Sequence, residues 1–395
     1  MNSTRLYLAC DNCFAIKRWI KPSQWIPLIK EIGFSSIEAS TDNEMDPLFS
    51  TDAYMSDWVK EVLEQEQEHS MKVRSFFTGY QTYRTTGLAH PDQRVRQKIK
   101  DGWFIPLINH AKTLQADIGF SFHALQEEVL QDPEKYEAAT RMFVKEYAEL
   151  ASIAAKSGVK LCSEQMYAPY QPSWTVDGTF EFLAAVYAEG GAPLYTTIDT
   201  GHMTGQRKFT WPDRERILKA LEILRRGERL RGLWFGPLAA YEKLKEQAEK
   251  PSAGDDAFAA ELIRFLKAYH YMFAPAEDSD PYKWLKNLGA YSSIIHMQQT
   301  DGISASHAPF TPETNVKGII NGKQLLESLA ESFTKPERKG MPPKADKIIL
   351  AFEIFISNVQ YPYDGIENLK ETVNYWKQFV PRDGMTLAEA LENCR

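Results

Sequence analysis

Cysteine is scarce. Four residues in 395, Cys10, Cys13, Cys162 and Cys394, are too few to staple a chain of this size, so a disulfide framework is excluded. The thiols predict a reducing, cytoplasmic setting. Cys10 and Cys13 have C-x-x-C spacing, but no second pair accompanies them. They read as pocket-lining thiols at a strand end rather than a zinc or redox motif. No apolar run is long enough to span a bilayer, and the first residues hold no apolar signal core, so neither a membrane partner nor secretion is expected. Positive charge is not in excess either. Lys and Arg number 46 against 53 Asp and Glu, a net −7, which offers no general basic face to nucleic acid. No G-x-G-x-x-G follows an apolar run, which disfavours a nicotinamide dehydrogenase.

What the sequence does have is an alternating beat. Strand-like runs occupy 5–10, 35–40, 72–79, 117–124, 159–167, 194–200, 292–299 and 347–355. Amphipathic helical stretches fall between them at 23–33, 51–70, 91–115, 133–158, 177–190 and 322–333, with a last one at 366–380. The 91–115 stretch carries a proline inside it. About eight strands, most followed by a helix, predict an α/β fold, a (β/α)8 TIM barrel forming one domain over 1–395. The beat breaks over 203–290, which is mostly helical and reads as an insertion after the sixth strand. Within it, "KPSAGDDA" (250–257) predicts a flexible hinge.

Barrel active sites lie where the strands end. The fifth strand ends in "CSEQMY" with Glu164. The sixth ends in "DTGH" with Asp199 and His202. The seventh carries His296 in "IIHMQQTDG", and the eighth Glu353 in "ILAFEIF". A glutamate among Ile, Leu, Ala and Phe is costly to bury unless paired or metal-bound, and no Lys or Arg stands at the neighbouring strand ends. His296 alone would read as a core histidine. Beside three carboxylates on adjacent strands, it reads as a ligand. Three carboxylates and one imidazole suit Mn²⁺, Mg²⁺ or Co²⁺, with Zn²⁺ a further candidate. His202 would either hydrogen-bond the substrate or brace a carboxylate. His123, Gln165, Gln298, Thr300, Asp301, His307 and Glu38 are further pocket candidates, each equally readable as structural. Arg207 and Lys208 would meet a phosphate or form a solvated basic turn.

These strings resemble a known group. "EQMYAP", "DTGH", "IIHMQQTDG" and "FEIF", in this order, look like the xylose isomerase-like TIM-barrel superfamily of sugar isomerases and epimerases. The resemblance implies that Glu164, Asp199, His296 and Glu353 bind one divalent metal ion. It further implies that Glu164 and Glu353 move protons. The substrate would be a small-molecule ketose or ketose phosphate, transformed through an enediolate, with His202, His123, Gln298, Arg207 and His307 around it. "EQMYAPYQPSWT" and "HMQQTDGISASHAPFT" are similar to a branch acting on tetrulose phosphates. Two features depart from the group: no arginine follows His296 closely, and 203–290 makes the chain long. A dehydratase or lyase shares the first proton abstraction and stays open. An endonuclease IV-like nuclease would need more ligands than eight histidines and one rim set supply, together with a basic groove. A homo-oligomer is expected, with the helical insertion as a contact surface.

Overall fold

Short apolar runs form the strands because both their faces are covered. In the computed structural model, which describes residues 3–79, 85–121, 124–171 and 173–394, eight strands pair in chain order and close on themselves. They are β1 (Arg5–Asp11), β2 (Ser36–Ser40), β3 (Lys72–Thr78), β4 (Asp117–Ser121), β5 (Leu161–Glu164), β6 (Leu194–Asp199), β7 (Ile294–Met297) and β8 (Lys347–Phe352). Every pairing is parallel, and β8 returns to β1 in register from Arg5↔Lys347 to Cys10↔Phe352. This is a (β/α)8 barrel. Buried on both faces, the strands read as continuous apolar runs rather than alternating ones.

Period-two geometry then determines what reaches the rim. Ala9, Cys162, Ile294 and Ala351 share one buried cluster inside the barrel. Two residues further along the same strands, on the same face, come Asp11, Glu164, His296 and Glu353. Apolar side chains fill the barrel's middle, and ionisable ones crown it. The β6–β7 register places Asp199 directly beside His296.

The surrounding helices start and stop on local signals. Pro22–Ile32 ends at Gly33, whose φ of 118° no other residue adopts easily. Asp132 caps Pro133–Lys156, and Thr175 caps Val176–Gly190. The 91–115 stretch is not one regular helix. It runs as Gln93–Ile99, a π-helical segment Lys100–Phe104, then Ile105–Leu114. Pro106 has no N–H to give the preceding turn, and the wider turn just before it absorbs that loss.

Within 203–290 the chain forms a 3₁₀ run His202–Phe209 and the helices Arg214–Arg225, Leu238–Ala248 and Asp255–Leu266, which pack on one another. The last helix there, Pro281–Leu288, packs instead against Val176–Gly190 and Gly322–Thr334. It fills the outer-ring position between β6 and β7. Within the 250–257 stretch, the Arg225 guanidinium bonds both Asp255 carboxylate oxygens, at 2.5 and 2.8 Å. No helix among the described residues is long and apolar enough to cross a membrane.

Candidate metal centre

Four strand ends bring Glu164, Asp199, His296 and Glu353 to one point, with a ligand atom of each within 4.8 Å of the others. Asp199 and His296 are fully buried, Glu164 nearly so. The local sequence fixes each group. Gly201 and His202 donate backbone N–H bonds to Asp199 Oδ1 at 2.7 and 2.8 Å, the ordinary turn geometry of an aspartate at a strand end. The Gln298 amide nitrogen reaches both Asp199 oxygens, at 2.8 and 3.0 Å. It lies so close to Gly201 that a Cβ there would meet its Cδ at 2.5 Å, which explains the glycine in "DTGH". Ser121 Oγ donates to Glu164 Oε2 at 3.0 Å.

The remaining atoms are not satisfied. Glu164 Oε1, His296 Nδ1 and Glu353 Oε2 are buried without a hydrogen-bond partner. Nδ1 lies 2.9 Å from the first oxygen and 3.2 Å from the second, but no bond aligns between them. Buried polar atoms are rarely left unpaired. Three of them crowding one point, beside Asp199, fit a divalent cation bound by oxygen and imidazole donors.

The local charges agree with this. Burial would raise the Asp199 and Glu353 pKa values, but nearby imidazoles (His202, His307 and His296 for Asp199; His296 and His307 for Glu353) hold both carboxyls below their usual range. Burial would lower His296, yet Glu353, Glu38 and Glu164 lift it well above an ordinary histidine. His202 is likewise depressed by burial but raised by Asp199, Glu164 and Glu353. The acids thus favour the charged form of both imidazoles, and the imidazoles that of the acids.

Over residues 26–232 the sequence matches the model of the xylose isomerase-like TIM barrel. The chain belongs to that family. A stretch of 58 residues is 40% identical to the D-erythrulose 1-phosphate 3-epimerase of Brucella abortus (strain 2308), covering 15% of this chain and only 19% of that protein. Among solved structures, a protein of Rhodospirillum rubrum classed with the xylose isomerases superimposes with a TM-score of 0.62 at 15% identity, covering 94% of this chain and 98% of that one. The IOLI protein, which carries a zinc atom, matches at a TM-score of 0.53 and 14% identity over 94% and 98% of the two chains. At such identities the structural likeness speaks for the fold.

Above this family's rim a cavity of about 810 Å³ opens over Glu164 and Glu353. His202 and His307 line it. His202 Nδ1 lies 3.1 Å from the Gln165 carbonyl, which leaves Nε2 facing Asp199 Oδ2 at 4.0 Å. His307 sits at φ 46°, a strained backbone for a non-glycine residue, with Nδ1 3.4 Å from Glu353 Oε2. Its backbone N–H donates to Gln298 Oε1 at 2.6 Å. Gln298 therefore links Asp199 to His307 from below and does not line the cavity itself.

Like Gln298, Arg207 departs from its expected place. Arg207 does not reach the cavity, because its guanidinium bonds the Gly302 carbonyl instead. His123 lies outside the described residues. Two further residues belong to this rim and mouth. Asp11, closing "RLYLACD", is buried at the rim, where burial, then Glu38 and Glu353, push its carboxyl well above the usual range. The reasoning that found Glu353, an acid ending an apolar run, applies to it equally. Lys17 is the one Lys or Arg lining the cavity among the described residues. Its exposure and φ of 65° place it in an irregular turn that no pattern announces.

Proposed function

We propose that this chain is a divalent-metal-dependent epimerase or isomerase of a ketose or ketose phosphate. The observation that carries the reading is the placement of Glu164 and Glu353. They come from β5 and β8, three steps apart around an eight-strand ring, and both line the same cavity over the same point. A bound divalent ion supplies Lewis acidity, which polarises a carbonyl and its neighbouring hydroxyl.

The residues do the rest. One carboxylate takes the proton from the carbon next to the carbonyl, giving an enediolate. The other, approaching from across the rim, returns a proton to the opposite face and inverts that carbon. Two carboxylates on opposing sides favour epimerisation over shuttling along one face, in keeping with the 3-epimerase relative. His202 and His307 hold hydroxyl oxygens. Lys17, at the mouth, meets the phosphate of a phosphorylated substrate. A nuclease is less well supported, because a single lysine makes no basic groove for DNA.

The test uses metal-stripped protein reconstituted with Mn²⁺, Co²⁺ or Mg²⁺, assayed on a panel of ketoses and ketose phosphates by proton NMR in D₂O. The reading predicts metal-dependent deuterium incorporation at the carbon beside the carbonyl, with formation of the epimer. Activity that survives chelation, or loss of a hydroxyl as water, would exclude it.

A further inference from the structure

His296 has two ring nitrogens, and the site above uses only one. Nδ1 faces Glu164 and Glu353. Nε2 lies 2.9 Å from Oε1 of Glu38, in hydrogen-bonding geometry. Glu164 Oε1 lies equally close to Nδ1, but there no hydrogen bond aligns. The same separation is thus a hydrogen bond on one edge of the ring and an unaligned contact on the other.

Glu38 is itself held. Both it and His296 are fully buried. Ser75 Oγ donates to Glu38 Oε2 at 2.7 Å. The β2–β3 register shifts between Ile37 and Glu38, an irregularity of the kind that re-aims a side chain. The Phe77 ring packs edge-on against the imidazole, centroids 4.2 Å apart, and restrains its rotation.

We infer that Glu38 is a positioning residue for the proposed metal site: it accepts the Nε2–H of His296 and so fixes the tautomer that turns the Nδ1 lone pair toward Glu164 and Glu353. This rests on the metal reading above. A neutral imidazole has one N–H, and the nitrogen that carries it cannot be a ligand. A buried carboxylate behind Nε2 keeps the proton there and makes Nδ1 more basic. The rival is a second ion among Asp11, Glu38 and His296, whose donor atoms also lie within 4.8 Å of one another. In that rival Nε2 would itself be a ligand and could carry no proton, so the protonation of Nε2 separates the two.

The experiment measures metal alone. Mn²⁺ affinity and stoichiometry are read by calorimetry for the wild type and Glu38→Gln. Wild-type protein labelled with ¹⁵N-histidine and loaded with Zn²⁺ is examined by NMR. The inference predicts one ion per chain and a protonated, exchange-protected Nε2 on His296. It predicts an affinity about 10–100-fold weaker in folded Glu38→Gln, the usual cost of losing such a partner. Wild-type affinity in that variant, a protonated Nδ1 in the loaded wild type, or two ions per chain would each overturn it. If Glu38→Gln does not fold, the wild-type spectrum decides alone. A wild type that binds no metal would overturn the underlying reading as well.

Discussion

The two ends of the barrel treat buried acids in opposite ways. At the N-terminal end, Asp117 is almost wholly buried, and lysines close on it: Lys347 Nζ is 3.1 Å from Oδ2, and Lys160 bonds the neighbouring Asp346. Asp383 is bound there too, by Leu8 N–H and by the Ser35 and Ser36 hydroxyls. At the C-terminal end, Glu164, Asp199 and Glu353 share no ion pair with any Lys or Arg among the described residues, whereas a buried oxygen without an aligned hydrogen bond occurs at both ends, on Asp117 as on Glu164 and Glu353. One end is completed by the chain's own cations. At the other, only imidazoles, those of His202, His296 and His307, stand beside the acids.

That contrast can be broken in several ways. The largest expected effect is on turnover. Glu353→Gln or Glu164→Gln should keep the fold by circular dichroism yet lose about 10²–10⁴ in kcat, the usual worth of general acid–base catalysis. Unchanged kcat in either variant would remove that residue from the proton path.

Next comes stability linked to metal. Adding ion at about 100 times its Kd should stabilise the wild type by about 2.7 kcal/mol, seen as a higher Tm, and Asp199→Asn should abolish the rise. Lys347→Met, at the opposite end, should lower stability by about 1–2 kcal/mol, equally with and without metal. The value is discounted because Lys347 is partly exposed and Lys160 remains nearby. A metal-dependent Lys347→Met effect would show that the two ends are coupled.

A proton should also leave when the ion enters. The His296 pKa is raised and those of Asp199 and Glu353 are lowered, so the imidazole is the group expected to carry the proton that a metal ion displaces. A ligand imidazole must be neutral, so uptake releases about one proton per ion, and affinity rises as pH rises. Calorimetry in two buffers of different ionisation enthalpy measures the release. The smallest effect belongs to the mouth. Lys17→Ala should raise KM about tenfold for a phosphorylated ketose and leave the unphosphorylated one unchanged, since an exposed lysine gives only part of a charged hydrogen bond's worth.

Much of this was legible in the sequence, for a definite reason. Parallel strands buried on both faces stand out as short apolar runs, and an acid ending such a run has few explanations. Glu353 in "ILAFEIF" and Asp199 in "LYTTID" are therefore legible from the residues alone. Asp11 carried the same signal but was overshadowed by the neighbouring C-x-x-C. What the sequence hid depends on direction in space. Arg207, two residues from the end of the rim's 3₁₀ run, reads as a phosphate ligand until its guanidinium is seen on the Gly302 carbonyl. Gln298 reads as a substrate contact until its amide is seen beneath Asp199. The Glu38–His296 bond joins residues 258 positions apart, through a register shift that no periodicity announces.

The central claim is that four side chains from four strands share one divalent ion. Crystals soaked in Mn²⁺ and measured at its absorption edge test it most directly. The account predicts a single anomalous peak per chain, bound by Glu164, Asp199, His296 through Nδ1, and Glu353. A peak elsewhere, or none with the ion in excess, would contradict it.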